Sequence, residues 1–167
     1  MAAPHLTLAI ASSALFDLSD SDAVYRSQGI EAYRSYQRER ENELLPTGVA
    51  FPFIRRLLAI NRIAPATPLV EVVLISRNDP DTGVCVHNSL DHHHLHVERS
   101  VFTGGRPPYH YIDDFHASLF LSVFDEQVLE NLACPFRVRC FFQSSKRFDQ
   151  LTIVGGDEKY LVSIRVE

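Results

Sequence analysis

The chain has 167 residues, 46% of them hydrophobic, and a formal net charge of -5. The length and hydrophobic content predict one globular domain, and the acidic balance excludes a typical nucleic-acid-binding surface, because polyanion binding requires clustered lysines and arginines. No apolar run approaches the roughly 20 residues that cross a bilayer, and residues 1–18 lack the basic start of a secretory signal, so we expect a cytoplasmic protein without a membrane partner.

Strand and helix patterns alternate from the start of the chain. The apolar run over residues 6–11 predicts a buried strand that ends in a polar turn at Ser12 and Ser13. A helix is predicted to begin at Ser21, as its N-cap, and to run into the charged sequence RERENE, which we expect to face solvent. After a break at LLPTG, residues 53–61 have the spacing of an amphipathic helix.

The stretch VEVVLISRNDPDTG, residues 70–83, has the pattern of a second buried strand whose carboxyl end opens into a polar loop. In open α/β sheets, ligands bind outside the carboxyl ends of the strands. Ser76, Arg77 and Asn78 are therefore candidates for holding a phosphate group. The alternative is a polar loop that only caps the next helix.

Shorter elements follow: a helix in DTGVCVHNSLDHH, a strand in VERSVFTGG and a buried strand in ASLFLS. This alternation predicts an α/β, Rossmann-like domain with a mostly parallel sheet and helices on both faces. The last strand patterns, QLTIVGG and YLVSIRVE, are expected to form a hairpin across GGDEK. We divide the chain into an α/β domain of residues 1–130 and a diverged, β-rich C-terminal tail of residues 131–167.

Gly104, Gly105 and Arg106 follow the third predicted strand. Two glycine amides and a guanidinium at such a place could receive an anion, or the sequence GGRPP could simply form a tight turn. We predict a phosphate-binding role for all three residues, with a tight turn as the alternative.

Two groups of side chains could hold a metal. Asp113, Asp114 and Asp125 are the carboxylates nearest predicted strand ends and could carry magnesium, although exposed helix caps explain them as well. Histidines crowd residues 87–96, but neighbouring residues on a helix point in different directions and no HExxH or CxxC pattern completes a zinc site. A histidine-centred, metal-dependent hydrolase is therefore the third of three functional hypotheses.

Four long segments, in order, resemble the N-terminal half of the cytosolic 5′-nucleotidase type I family in its bacterial form. They are AIASSALFDLSDSDAVYRSQGIEAYRSYQRERENE, GVAFPFIRRLLAIN, VEVVLISRNDPDTGVCVHNSL and GGRPPYHYIDDFHASLFLS, and they cover about residues 6–130. That family is similar to the haloacid dehalogenase superfamily. The resemblance implies a haloacid dehalogenase-like fold, nucleoside monophosphates as substrates, and magnesium-dependent hydrolysis through an aspartyl-phosphate.

The resemblance also implies which catalytic residues are needed. One carboxylate attacks phosphorus and a second, two residues later, protonates the leaving oxygen, and the family carries both as a DxD motif in its second half. The matching stretch QLTIVGGDEKYLVS puts Gly156 at the nucleophile and Glu158 at the acid/base, so Glu158 and its neighbour Asp157 are the remaining catalytic candidates. In the N-terminal half, LAIASSALF lies where a DxD strand would be, and its Ser12 and Ser13 join the phosphate-binding candidates.

Two further hypotheses follow from the resemblance. The first is hydrolysis of nucleoside 5′-monophosphates by the family, with this chain as an N-terminal lobe or a truncated and diverged member that is inactive alone because it lacks the DxD half. The alternative is a non-catalytic nucleotide-binding or phosphate-binding module, or an oligomerisation module. The absent DxD favours the second for this chain, and a homo-oligomer is left open.

Overall fold

The computed structural model describes residues 4, 6–78, 80–107, 109–123, 140–143, 148–156 and 159–166. Its main sheet has four strands: β1 Leu6–Ile10, β2 Val70–Ser76, β3 Arg99–Phe102 and β4 Leu119–Leu121. They lie in the order β3-β2-β1-β4, and every neighbouring pair is parallel. The prediction that these four strands share one parallel sheet is confirmed.

Helices fill the connections between the strands, as the βαβ pattern requires. The α-helices are α1 Ser12–Leu15, α2 Ser19–Glu39, α3 Phe51–Ala59, α4 Val84–His92 and α5 Tyr109–Asp114. Two 3-10 turns, Ile60–Ile63 and Pro80–Gly83, follow α3 and precede α4. Within the described part of the chain, no helix combines the length and the apolar character needed to cross a membrane.

Apolar residues of the sheet point alternately to its two faces, with the period of two that a strand imposes. Leu8 and Ile10 of β1 join a cluster packed against α1, α3 and α4, whereas Ala9, between them, joins a second cluster with Ile112 of α5. The side chains of β2 alternate in the same way: Leu74 lies in the first cluster, and Val73 and Ile75 lie in the second. The expected α/β fold with helices on both faces is therefore confirmed.

Helix α2 begins two residues before the predicted N-cap, Ser21. The Asp17 carboxylate accepts hydrogen bonds from the hydroxyl of Ser19, at 2.6 Å, and from its backbone N–H, at 3.0 Å, and these bonds hold the pKa of Asp17 below its ordinary value. Ser21 lies inside the first turn and donates its hydroxyl to the Leu18 carbonyl at 2.9 Å. The sequence DLSDSD offers several capping side chains, so spacing alone could not select Asp17.

Helix α2 is broken in the middle at Gly29. This residue has φ 84° and ψ -174°, which divides the element into residues 19–28 and 30–39. Such a backbone conformation is accessible essentially only to glycine. The helix ends at Glu39, so the RERENE sequence, residues 38–43, begins in its last turn and continues beyond the helix. This sequence is largely exposed, as predicted.

The described part of the tail contains β5 Cys140–Gln143, β6 Phe148–Gly156 and β7 Lys159–Val166. These strands form a sheet in the order β5-β7-β6, in which β6 and β7 are antiparallel and β5 and β7 parallel. Three residues singled out from the sequence, Asp125, Asp157 and Glu158, lie outside the described residues.

Candidate functional site

A cavity of about 510 Å³ opens at the carboxyl ends of β1 and β2. The loops after β1, β2 and β3 form one wall and helix α2 forms the other. The lining residues are Ala11, Ser12, Ser13, Leu18, Ser21, Asp22, Tyr25, Arg26, Ile30, Tyr33, Arg34, Ile75, Ser76, Arg77, Asn78, Gly104 and Gly105. Every phosphate-binding candidate from the sequence is among them except Arg106, which is exposed and does not line the cavity.

The ends of β1 and β2 are joined by two serine hydroxyls. Ile10 pairs with Leu74 in the parallel register, so the residues two positions further along each strand lie side by side. Ser12 Oγ and Ser76 Oγ are 2.8 Å apart and buried, and the backbone N–H of Asn78 donates to Ser76 Oγ at 3.2 Å. The structure thus brings together polar residues from two distant parts of the chain, as the strand-end argument predicts.

The loop after β3 is tied to the loop after β2 by its own backbone. Thr103 N–H donates to the Ser76 carbonyl at 2.9 Å, Gly104 N–H to the Asn78 carbonyl at 3.1 Å, and Gly105 N–H to the Arg77 carbonyl at 2.6 Å. Both glycines have positive φ, which allows this tight approach. Their amides therefore donate within the loops in this structure, and the phosphate-binding role suggested for the two glycines stays a prediction.

Three guanidinium groups give the cavity a positive character. Arg77 follows β2, and Arg26 and Arg34 come from the two halves of α2. Arg26 Nε is 2.8 Å from the carboxylate of Asp22, the one acidic residue among the described residues of the lining, and Arg34 is 2.9 Å from Glu31. Positive charge in a partly enclosed site favours an anionic ligand.

The side-chain amide of Asn78 is a further hydrogen-bond donor at the strand ends. Its Nδ2 is buried and finds no acceptor within the part of the chain that the structure describes. A buried amide without a partner costs free energy, and Asn78 is one of the residues that line the cavity.

The wall formed by α2 is aromatic as well as basic. Tyr25 and Tyr33 both line the cavity, and their rings meet edge to face with centroids 5.9 Å apart. Tyr33 is buried, whereas Tyr25 is 50% exposed and the nearby Ile30 is 45% exposed. Sequence reasoning missed this wall because the periodicity of α2 predicts a helix but not the sheet edge over which the helix lies.

The remaining candidates lie elsewhere. Asp113 and Asp114 are on α5 and do not line the cavity. Among the residues that the structure describes, no three metal-ligating side chains converge, and this includes the histidines of residues 87–96. His87 Nε2 instead lies 3.2 Å from Ser100 Oγ, consistent with a structural role.

Magnesium does not fit the lining of this cavity. Hard divalent cations prefer several oxygen ligands, usually carboxylates, but the one described carboxylate here is held by Arg26 and shares the site with further guanidinium groups. Ala11, Ser12 and Ser13 follow β1, so no carboxylate stands directly after that strand to attack phosphorus. The arrangement is therefore suited to holding an anion by hydrogen bonds and charge.

Comparison with known proteins identifies relatives of the chain. The family model described as 5′-nucleotidase matches residues 1–150. The chain is 34% identical over 146 residues to cytosolic 5′-nucleotidase 1B of Homo sapiens, an alignment that covers 84% of this chain and 24% of that protein. The chain thus spans about a quarter of the length of that relative. No solved structure matches it. By the extent of the family match, the chain belongs to the 5′-nucleotidase family.

Proposed function

We propose that this chain binds nucleoside 5′-monophosphates in the cavity at the carboxyl ends of β1 and β2, as a nucleotide-binding unit of a cytoplasmic 5′-nucleotidase. Family membership supports a nucleotidase-like function. The observation that carries the proposal is the meeting of Ser12, Ser76 and Asn78 at the strand ends, on one wall of a cavity whose lining includes three arginines.

The strand-end wall would take the phosphate group. In the Ser12–Ser76 pair one hydroxyl donates to the other, which leaves the second hydroxyl hydrogen to donate to a phosphate oxygen. The Nδ2 of Asn78 can donate as well, and Arg77 supplies positive charge beside them. Each charge-assisted hydrogen bond contributes roughly 1.5–3 kcal/mol before ordering costs. Two or three such bonds support dissociation constants in the millimolar to high-micromolar range, at roughly -4 to -6 kcal/mol.

Hydrolysis is proposed for the family's complete site and not for this cavity. An aspartyl-phosphate route needs a carboxylate nucleophile and a second acidic group. Ser12 and Ser13 follow β1 where a carboxylate nucleophile would be needed, and the carboxylate of Asp22 is paired with Arg26. We keep Asp157 and Glu158 as proposed acidic groups of the tail, and magnesium as a proposed cofactor of the complete site only.

The binding test uses the full chain and AMP. Isothermal titration should show saturable binding at up to several millimolar AMP, and the double variant Ser76→Ala/Asn78→Ala should weaken it at least tenfold, because two donors to the phosphate are lost. The matched control is Ser100→Ala/Asn88→Ala, which removes a hydroxyl and an amide from half-buried residues outside the cavity. No saturation, or equal binding by both double variants, would refute the proposal.

A phosphate-release assay separates binding from turnover. With AMP and magnesium, the chain should release no more inorganic phosphate than a buffer blank, because the one carboxylate among the described residues of the cavity lining, that of Asp22, is paired with Arg26. Release that disappears in the Glu158→Gln variant would show that the tail completes a catalytic site in this chain and would overturn the assignment of binding without hydrolysis.

A further inference from the structure

We infer that Tyr25 is a stacking platform for the nucleobase, so that the cavity selects nucleotides over phosphate esters that lack an aromatic base. The inference rests on the proposed nucleotide-binding function and assigns the second wall of the same cavity. Among the described residues, the groups at the strand ends would bind a phosphate and would not distinguish AMP from ribose 5-phosphate.

The orientation of Tyr25 is set by a buried neighbour. Its ring lies 5.9 Å from that of Tyr33, centroid to centroid, with an interplanar angle of 80°. Tyr33 is only 8% exposed, while Tyr25 is 50% exposed. An edge-to-face pair of this kind is a favoured aromatic arrangement, so the buried ring holds the exposed one in place. A pre-positioned ring loses little conformational freedom when a ligand stacks on it.

The two walls of the cavity differ in chemistry in the way that the two ends of a nucleotide differ. The strand ends present hydroxyl, amide and guanidinium groups, whereas α2 presents the exposed ring of Tyr25 and the exposed side chain of Ile30. The volume of about 510 Å³ falls within the range of about 300–1,000 Å³ typical of small-molecule sites, and exceeds the need of a phosphate group alone. A ligand with its phosphate at the strand ends therefore has room for a ring against α2.

The polar groups beside Tyr25 bind each other. Asp22 and Arg26 form an i,i+4 ion pair at 2.8 Å. In the chain, Asp22 lies three positions before Tyr25 and Arg26 one position after it. Their hydrogen-bonding capacity is partly used in this pair, so the wall would recognise the flat aromatic surface of a base more than the pattern of groups on its edge. Stacking of this kind tolerates different bases, because every base has an aromatic face.

The test compares AMP with ribose 5-phosphate in the full chain. Tyr25→Leu retains an apolar side chain at an exposed position and removes the ring, and Tyr25→Phe retains the ring. We expect Tyr25→Leu to weaken AMP binding at least fivefold and leave ribose 5-phosphate binding unchanged, and Tyr25→Phe to bind AMP like the parent. Tyr111→Leu, at an exposed tyrosine outside the cavity, is the matched control and should change neither ligand.

A second readout reports the contact directly. The chain contains no tryptophan, so tyrosine emission can be followed, and AMP should quench a fraction of it that is missing in Tyr25→Leu. Equal losses of AMP and ribose 5-phosphate binding in Tyr25→Leu, or no loss of either, would overturn the platform while leaving saturable AMP binding intact. If the parent chain saturates with neither ligand, the proposed function fails and the platform fails with it.

Discussion

The hydroxyl of Ser12 lies 2.8 Å from that of Ser76, forming a buried hydrogen bond between the carboxyl ends of two neighbouring strands. Ser12 is 4% exposed and Ser76 2% exposed, so removing one hydroxyl leaves the other without its protein partner. The bond therefore contributes to the stability of the sheet edge on which the candidate site is built.

We expect Ser12→Ala to lower the free energy of unfolding by about 1–3 kcal/mol, because it deprives a buried hydroxyl of its partner. The double variant Ser12→Ala/Ser76→Ala should cost less than the sum of the single variants. The N–H of Asn78 loses its acceptor in both variants that lack Ser76, so that loss cancels in the double-mutant cycle. Urea unfolding measures all three variants. Ser27→Ala, at an exposed helical serine, is the control, and strictly additive losses would contradict the prediction.

Replacing Gly29 tests the break in α2. Gly29→Ala should lower the free energy of unfolding by about 1–3 kcal/mol, because alanine is disfavoured at φ 84° and ψ -174°. A Cβ atom at this position meets nothing within 4 Å, so a steric clash does not contribute. Gln28→Ala, at the preceding exposed residue, should be nearly neutral in the same urea titration. Equal stability of the two variants would show that the helix straightens without cost.

Gly48 lies against the backbone of residues 14–16, which follow β1. A Cβ atom at Gly48 would be 2.7 Å from the carbonyl oxygen of Ala14 and 2.9 Å from the backbone nitrogen of Phe16, neither of which can rotate away. At Gly83 the equivalent atom would be 2.6 Å from the ring of Phe102, a side chain that can move.

Gly48→Ala should therefore destabilise the protein more than Gly83→Ala. For Gly83→Ala we expect a loss of about 1–3 kcal/mol in the free energy of unfolding, which is typical of overpacking. Thermal unfolding of the two purified variants, with the yield of folded protein as a second measure, gives the order. The reverse order would mean that the loop carrying Gly48 shifts more easily than the Phe102 ring.

Histidine 93 predicts a pH dependence of stability. Burial, with Phe51 4.8 Å away ring to ring, lowers the pKa of His93 below its ordinary value, and the positive charges of His92, Arg55 and His94 lower it further. The unfolded chain then binds the proton more tightly than the folded protein does. The contribution of His93 to stability is present above the unfolded-state pKa of about 6.5 and is lost as the pH falls through the folded pKa.

Urea unfolding at pH 7 and pH 5 should show a smaller loss of stability for His93→Phe than for the parent chain. His96→Gln, at an exposed histidine, should retain the parent's dependence. A parallel loss in all three proteins would assign the pH dependence to other groups.

The strands and the strand-end part of the site could be predicted because each depends on local pattern and one general rule. The continuous apolar runs of β1 and β2 are typical of strands covered on both faces, and the carboxyl ends of parallel strands share one edge. Ser12 and Ser76 could thus be expected together despite their separation in the chain.

The α2 wall and the role of the glycine amides depend on long-range packing, which a single sequence does not encode in its local pattern. Tyr25, Arg26 and Arg34 have helical spacing, but that spacing is equally consistent with a helix facing solvent. The amides of Gly104 and Gly105 donate to carbonyls in a loop that the chain passes much earlier. A turn-forming GG pair carries no signal for such partners.

The position of β1 has a consequence for how the chain folds. β1 precedes the other strands of its sheet in the chain, yet it is a central strand whose partners come late, with Leu6 paired to Val70 and Leu8 to Leu119. Pairing between such distant segments is slow because a long loop must close first, and the apolar strand stays exposed until then. Nascent chains arrested before β4 emerges should remain sensitive to protease at β1, and protection of this strand at that stage would indicate that β2 alone suffices to fold it.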